Sequence, residues 1–421
     1  MWEQVRANQR RSALLVVAMA AVLIGLGYVL GQALDPGGGP VGVGVAVVLW
    51  VILALVSYYQ GGGIMLAVGG ARPIEKADFP QLFNVVEEMQ IAAGLPRMPD
   101  IYVIDDPAPN AFATGRNPQT AAVAVTTGLL RICNRDELQG VIAHELGHIR
   151  NRDILLMIMV GVMMGAIVLL ADIGWRLVLN SGGRRRTRSS RGEGQGQIIL
   201  ILVAVALAIL APIIARLMYF AMSRRREYLA DASAALLTRY PEGLASALEK
   251  IGASSRRLDG ANRATAPMYI VNPFQAGSRA AFSLAATHPP LDDRIRVLRA
   301  MGGGAGYVDY DSAFRRIHAG RGVLPAGATA GQKPVPGRPA TTDTSVGPQQ
   351  RARAAMDAVW RSGDYRFLPC ACGATLKLPP DFTAARLVCP RCRHVHALDA
   401  VPPPLPDAAV QPDSPRGPRG A

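Results

Sequence analysis

Two apolar stretches near the middle of this chain, Ile154 to Ala171 and Ile198 to Ala215, limit what it can fold into more than any other feature. Each is about long enough to cross a bilayer core, which takes ~17–25 residues. Two more precede them. Ser12 to Leu34 is too long for a signal-peptide core and has no clear small-residue cleavage site after it, so it reads as a retained anchor. Asp35 to Pro40 is a tight turn, and Val41 to Tyr58 is a second apolar run, with Trp50, Tyr58 and Tyr59 as interface anchors. Four transmembrane helices are therefore expected.

Arginines set the orientation. Arg6, Arg10 and Arg11 put the N-terminus in the cytoplasm, and two crossings return the chain there near Gly61. The loop Ser181 to Gln197 carries Arg184, Arg185, Arg186, Arg188 and Arg191, yet parity places it outside. Either four spans form despite that loop or the second hairpin is re-entrant; four spans are the reading adopted.

The chemistry lies on either side of that second hairpin. In Val141 to His148, His144 and His148 are one helical turn apart and can hold one ion, with Glu145 turned toward its open side. Zinc held by two imidazoles and a carboxylate keeps a position for water, whose proton an adjacent carboxylate can take. Glu145 is that carboxylate. Downstream, Glu227 in Arg226 to Asp231 is the candidate third ligand, and Asp231, one turn on, can accept the outer N–H of a ligand histidine. The plain alternative is a helix with two surface histidines and, for the downstream pair, an exposed helix-start carboxylate and a cap residue. If Glu227 and His144 share an ion, the intervening chain crosses the membrane an even number of times or dips in and returns.

Between Ala71 and Asp153 the composition is mixed and globular. Leu82, Val85, Val86 and Met89 give helical spacing over Pro80 to Ala93, Asp100 to Ile104 reads as a short strand, Asn110 to Gly115 as a turn, and Ala121 to Thr127 as a second strand. Asn134, with Glu137 three residues on, forms a capping box at the start of the histidine helix. Peptidases grip extended substrates by strand addition, and Ala121 to Thr127 is the candidate edge, an ordinary buried strand being the alternative. Leu237 to Gly252 reads as an amphipathic helix, and Ser254 to Ala286 as a loop or lid.

These motifs resemble, in order, those of the HtpX family of membrane-bound zinc metallopeptidases: Asn110 to Gly115, Ala122 to Leu130, His144 to His148 with Asn151 and Asp153, Arg226 to Asp231, and Thr287-His288-Pro289-Pro290. The resemblance covers roughly residues 10–300. It implies a gluzincin endopeptidase of the cytoplasmic membrane in quality control of damaged membrane proteins. Residue by residue it makes His144, His148 and Glu227 zinc ligands and Glu145 the general base. It places His288 near the site, as an oxyanion donor or, alternatively, a helix-capping residue. Arg294 reads as an exposed arginine on an amphipathic helix. Substrate contacts are assigned to Asn110 and Phe112 in the first shared motif and to Val123 and Val125 on the candidate edge.

Past Met301 the family pattern ends. Gly302 to Gly304 and the proline-rich Gly320 to Gln350 read as linker, with a short helix at Arg351 to Ser362. Cys370, Cys372, Cys389 and Cys392 then have the spacing of a zinc ribbon, four thiolates closing a structural site, although the first pair is one residue short and His394 or His396 could replace a sulfur. Disulfides, the alternative, are disfavoured in a reducing cytoplasm. Cys133 reads as a packed thiol, and residues 401–421 as a disordered tail.

The net charge of +14 invites a nucleic-acid reading, but the arginines gather at membrane flanks and in the tail without interleaved aromatics. Solvated surface and anionic lipid account for them, and nucleic acid is not an expected partner.

The expected fold is thus a mainly α membrane protein: four transmembrane helices, a cytoplasmic α+β gluzincin domain and a small C-terminal zinc ribbon. Its parts are a hairpin at 1–60, catalytic parts at 61–153 and 223–301 around a second hairpin at 154–222, a linker at 302–366, a ribbon at 367–398 and a tail at 399–421. Two zinc ions, one catalytic and one structural, are expected cofactors, polypeptides such as misfolded membrane proteins the substrates, and the lipid bilayer a partner. Oligomeric state is left open. The rival reading is a non-catalytic scaffold working through the ribbon.

Overall fold

The structure is a computed structural model, and it describes residues 2–35, 37–155, 157–159, 162, 167, 172, 224–256, 258, 269–271, 289–341, 347–361, 363 and 365–398. It divides into two units, Met1–Val359 and Trp360–Ala421. The expected third and fourth spans, most of the 254–286 loop, His288 and the tail from 399 lie outside the described residues, apart from scattered positions such as Ile154 and Ile158.

The first unit opens on a helical hairpin, α1 (Trp2–Leu34) and α2 (Gly39–Val68). Glycines let the two backbones touch: a Cβ on Gly42 would sit 2.1 Å from the Gly27 carbonyl oxygen, and one on Gly31 2.4 Å from that of Gly38. Small residues at such crossings allow the close approach that packs helices where water supplies no drive. Over an 18-residue window α2 has a mean hydropathy of 2.5 with only 11% of it buried, and Val45, Val48, Ile52 and Leu55 project outward. It alone among the described helices is long and apolar enough to cross a membrane; α1 holds a shorter apolar stretch, Val16–Gln32. α2 also runs ten residues past the expected span, and a Cβ on Gly61 would collide with Ile158.

A four-stranded sheet follows. Its strands are β1 (Ala71–Pro73), β2 (Asp100–Ile104), β3 (Ala111–Thr114) and β4 (Ala122–Thr126), in spatial order β1-β2-β4-β3. β4 pairs parallel with β2 and antiparallel with β3. This corrects two expectations. Asn110 to Gly115 is largely a strand rather than a turn, and Ala121 to Thr127 is central rather than an edge, which explains why every residue of β4 is buried. The edge strands are β1 and β3.

β4 runs directly into α4 (Thr127–Ile132), capped by the Thr126 hydroxyl, which accepts from the Leu129 N–H. α5 (Arg135–Asn151) then starts at the capping box: Glu137 N–H donates to Asn134 Oδ1 at 2.9 Å, and Asn134 N–H to Glu137 Oε2 at 2.8 Å. α5 is buried from Asp136 to Ile149, with α3 (Pro80–Ala93) against it. α6 spans 224–238 and α7 Pro241–Ala253, the latter crossing α5 so closely that a Cβ on Gly140 would lie 2.6 Å from the Leu244 nitrogen. α8 is Leu291–Arg299.

The expected linker does not describe residues 303–341. α9 (Tyr307–Ile317) buries Tyr307, Tyr310, Ala313 and Phe314 on one face, and packs on α8. After α10 (Ala326–Thr329) the chain returns: Ala305 and Gly337 N–H groups donate to Val335 and Gly303 carbonyls, both at 2.7 Å. The helical spacing of those aromatics outweighs the glycine and proline content on which the linker reading relied.

α11 is Pro348–Arg361. The second unit contains two antiparallel hairpins, β5 (Arg366–Pro369) with β6 (Thr375–Leu378), and β7 (Arg386–Val388) with β8 (Val395–Ala397). Each ends in a cysteine-bearing turn: Cys370 N–H donates to the Ala374 carbonyl, Cys389 N–H to that of His394, both at 2.8 Å. Cys370, Leu376 and Cys389 form its small core.

Candidate metal centre and cleft

His144 and His148 lie on one face of α5, both buried, with their Nε2 atoms 3.3 Å apart. α6 brings Glu227 against them, Oε2 at 3.7 Å from His144 Nε2 and Oε1 at 3.5 Å from His148 Nε2. Zinc bonds of about 2.0–2.1 Å at tetrahedral angles set neighbouring donors roughly 3.3 Å apart. The three side chains can therefore hold that ion, their ligand atoms lying within 4.8 Å of one another.

Each imidazole is oriented from behind. His144 Nδ1 lies 2.9 Å from Asp231 Oδ1, and His148 Nδ1 3.2 Å from Asp153 Oδ2. Both contacts fix the tautomer that aims Nε2 at the shared point. Asp153 reaches His148 because Arg152, at φ 56°, ends α5 in a left-handed turn that brings the next side chain back. Asp231 is gripped in turn by Arg294, whose Nη2 and Nε donate to it at 2.6 and 2.8 Å. Arg294 also donates to the Ile270 carbonyl at 3.1 Å and lies 3.4 Å from Glu227 Oε2.

Arg294 is thus fully buried, against the expectation of an exposed residue. Its helical spacing with Val297, Leu298 and Met301, all buried, was the available signal. For Asp153 the sequence offered only its place in a shared motif.

These contacts set the protonation. Burial alone would raise the Asp231 carboxyl, but the Arg294 guanidinium and the hydrogen bonds hold it below the ordinary range. Burial takes His144 down to about 4. It opposes the charge on His148 too, yet the Asp153 hydrogen bond and the Glu227 carboxylate prevail and raise that ring to about 9. Burial raises Glu145 to about 7.

Glu145 borders a small cleft with Ala113, His148, Ile154 and Met157. Its carboxylate accepts from the Ala113 backbone, and its Oε1 has no hydrogen-bond partner among the described residues. Of the expected substrate residues, Val123 and Val125 are buried in the sheet centre, away from any free edge. Asn110 and Phe112 belong to the β3 region, but their side chains meet Val271 and Tyr269.

The four cysteines of the second unit also converge. Cys370 and Cys392 sulfurs are 3.5 Å apart, Cys372 and Cys389 sulfurs 3.7 Å, and none is in a disulfide. Zinc–sulfur bonds of about 2.3 Å imply separations of roughly 3.8 Å. Four sulfurs complete that group, and His394 and His396 are outside it, in edge contact with each other.

Fold and site together define a metallopeptidase, and comparison with known proteins agrees. The model of peptidase family M48 matches residues 76–302. The chain is 45% identical over 301 residues to a protease HtpX homolog of Dictyoglomus turgidum, covering 72% of this chain and 95% of that protein. The corresponding homologs of Thermoanaerobacter pseudethanolicus and Streptococcus uberis are 42% and 40% identical, again over 72% of this chain and over 98% and 100% of theirs. The crystal structure of S. mikatae Ste24p aligns at a TM-score of 0.40 and 20% identity, over 71% of this chain and 67% of that one. The chain belongs to the HtpX group of peptidase family M48 and is a membrane-bound, zinc-dependent metalloprotease. The family match stops at residue 302, although the fold of the first unit continues through α9 and the 334–341 segment.

Proposed function

We infer that the chain is an endopeptidase in which His144, His148 and Glu227 hold zinc and Glu145 acts as general base. The observation that carries this is the meeting of three buried donors at zinc spacing with a carboxylate on the cleft. Zinc bound there supplies Lewis acidity to the scissile carbonyl and to the attacking water. Glu145, held near neutrality by burial, takes the proton from that water and passes it to the leaving amine. The substrate lies as a strand beside the outer edge of β3, the edge strand whose Ala113 backbone adjoins Glu145. Asn110 and Phe112 support that edge, and His288 is assigned to the oxyanion from its motif.

The same reading takes the protein as multi-pass in the cytoplasmic membrane, with four spans, a cytoplasmic active site and damaged membrane proteins as substrates. The glycine-packed hairpin with its outward apolar face, the arginine distribution and the family resemblance support it. A second, structural zinc belongs to the cysteine cluster, supported by the sulfur separations.

Chelation tests the catalytic part. Protein purified in detergent should cleave casein, lose that activity with 1,10-phenanthroline, and regain it on zinc addition. Inertness of the zinc-loaded protein, beside an active membrane protease in the same assay, would favour the scaffold reading.

A further inference from the structure

α9 lies beyond the 76–302 stretch that the family model matches, yet two residues of its buried face reach α6, the helix that carries Glu227. The Tyr307 hydroxyl lies 3.1 Å from Ser233 Oγ, and because Ser233 itself donates to the Leu229 carbonyl at 2.7 Å, Tyr307 is the donor. Two turns on, Phe314 meets Tyr228 edge-on with ring centroids 4.9 Å apart. Tyr228 directly follows Glu227, and Ser233 is two residues past Asp231.

Both α6 residues are anchored a second time. The Tyr228 hydroxyl donates to Asp293 Oδ2 at 2.6 Å, on the residue before Arg294. His318, stacked on Phe314 at 3.9 Å between centroids, brings its Nε2 to 3.2 Å from the same oxygen. Ser233 lies flat against α5: a Cβ on Gly147, the neighbour of His148, would sit 3.2 Å from the Ser233 Cβ. On the same face of α9 as Phe314, Tyr310 is wholly buried in the field of the Asp231 and Arg294 charges.

Glu227 is the one ligand of the three that comes from outside α5. A helical turn sets the two histidines relative to each other, whereas the distance of Glu227 from them depends on how α6 packs on α5. We propose that α9 is a positioning element of the metal site: Phe314 seats Tyr228, and with it Glu227, while Tyr307 holds Ser233 and so the spacing of α6 from α5. This rests on the zinc ligands assigned above. α9 acts through these residues rather than on the metal itself, so its effect is read in how tightly the ion is held.

The test is zinc affinity, measured by competition with a chelating indicator on the detergent-purified full chain carrying Cys389→Ser and Cys392→Ser, so that the ion counted is the one at His144, His148 and Glu227. Phe314→Leu keeps an apolar side chain but loses the ring contacts, and should bind zinc about 10- to 100-fold more weakly. Tyr307→Phe removes a single hydroxyl and should weaken binding by up to about tenfold. Asp311→Ala is the stability control. Its partners, the Val323 and Leu324 N–H groups at 3.0 and 3.1 Å and the Arg315 guanidinium at 2.7 Å, belong to the segment itself, so it should lower Tm and leave zinc affinity at the parent value. If Phe314→Leu does not fold, Tyr307→Phe against Asp311→Ala decides. Parent affinity in both aromatic variants would overturn the proposal, and so would an affinity that falls with Tm in all three, which marks α9 as structural alone. A parent chain that holds no zinc would overturn the ligand assignment, and this proposal with it.

Discussion

Arg294 holds Asp231 through two hydrogen bonds, at 2.6 and 2.8 Å, with neither side chain exposed to solvent. The pair keeps a buried carboxylate ionised behind His144, and that carboxylate fixes the ring so that Nε2 faces the metal position. Removing one partner of a buried ion pair leaves the other uncompensated. Arg294→Met should therefore cost about 3–5 kcal/mol of stability and weaken zinc binding about 10- to 100-fold. Denaturant unfolding and competition with a chelating indicator measure both, and an unchanged zinc affinity would show that orientation from this side does not matter.

His148 sits at about 9 in the metal-free protein because Asp153 and Glu227 outweigh burial. Only the neutral imidazole binds zinc, so below that pH uptake must expel its proton. Apparent zinc affinity should rise with pH, up to about tenfold per unit, and level off above 9. Calorimetric titration at pH 7 in buffers of different ionisation heat should find close to one proton released. The sign for metal-free stability is the reverse: a raised histidine contributes below its unfolded value near 6.5, and that contribution disappears as pH rises through 9.

Glu145 carries the opposite charge with a raised folded value near 7. An acid raised on folding is destabilising once the unfolded chain can ionise and the buried group cannot, so the cost builds as pH climbs from about 4.5 and is complete above 7. Metal-free Glu145→Gln should melt above wild type at pH 8, by up to about 3 kcal/mol, with the gap closing toward pH 5. Thermal unfolding across that range checks it, and a gap constant with pH would remove ionised Glu145 as its cause.

The segment past the family match is part of the catalytic unit. Arg338 Nη2 donates to Asp136 and Gln139, both at 2.8 Å, and the Thr341 N–H reaches the other Asp136 oxygen at 2.8 Å, tying the segment to the start of α5. A chain ending at residue 302 should lose at least about 5 °C in Tm, the equivalent of one or two kcal/mol in a domain of this size, while one ending at 347 should not. Equal melting of the two would return 303–341 to the status of a linker.

Zinc content reads out the cysteine cluster. Wild type should bind two equivalents and Cys392→Ser one, measured by elemental analysis after dialysis against a weak chelator; a single equivalent in wild type would leave the four sulfurs without a metal.

What sequence could reveal here was periodic. His144 and His148, Glu227 and Asp231, and the Asn134 and Glu137 cap are spacings of three or four residues that a helix turns into neighbours. The position of β4 was not of that kind, since pairing on both sides depends on strands β2 and β3, although its unbroken Ala122-Val123-Ala124-Val125 run is the pattern of a central strand. Arg294 and Asp153 were harder still. A charged residue looks solvated until its partner is known, and the partner of Arg294 lies 63 residues away.

The most direct test of the central claim is peptide hydrolysis by wild type and Glu145→Gln, compared at matched zinc content in the same detergent. Loss of the general base should lower kcat by about 10²- to 10⁴-fold with zinc retained. A Glu145→Gln protein that holds its zinc and cleaves at the wild-type rate would contradict the account.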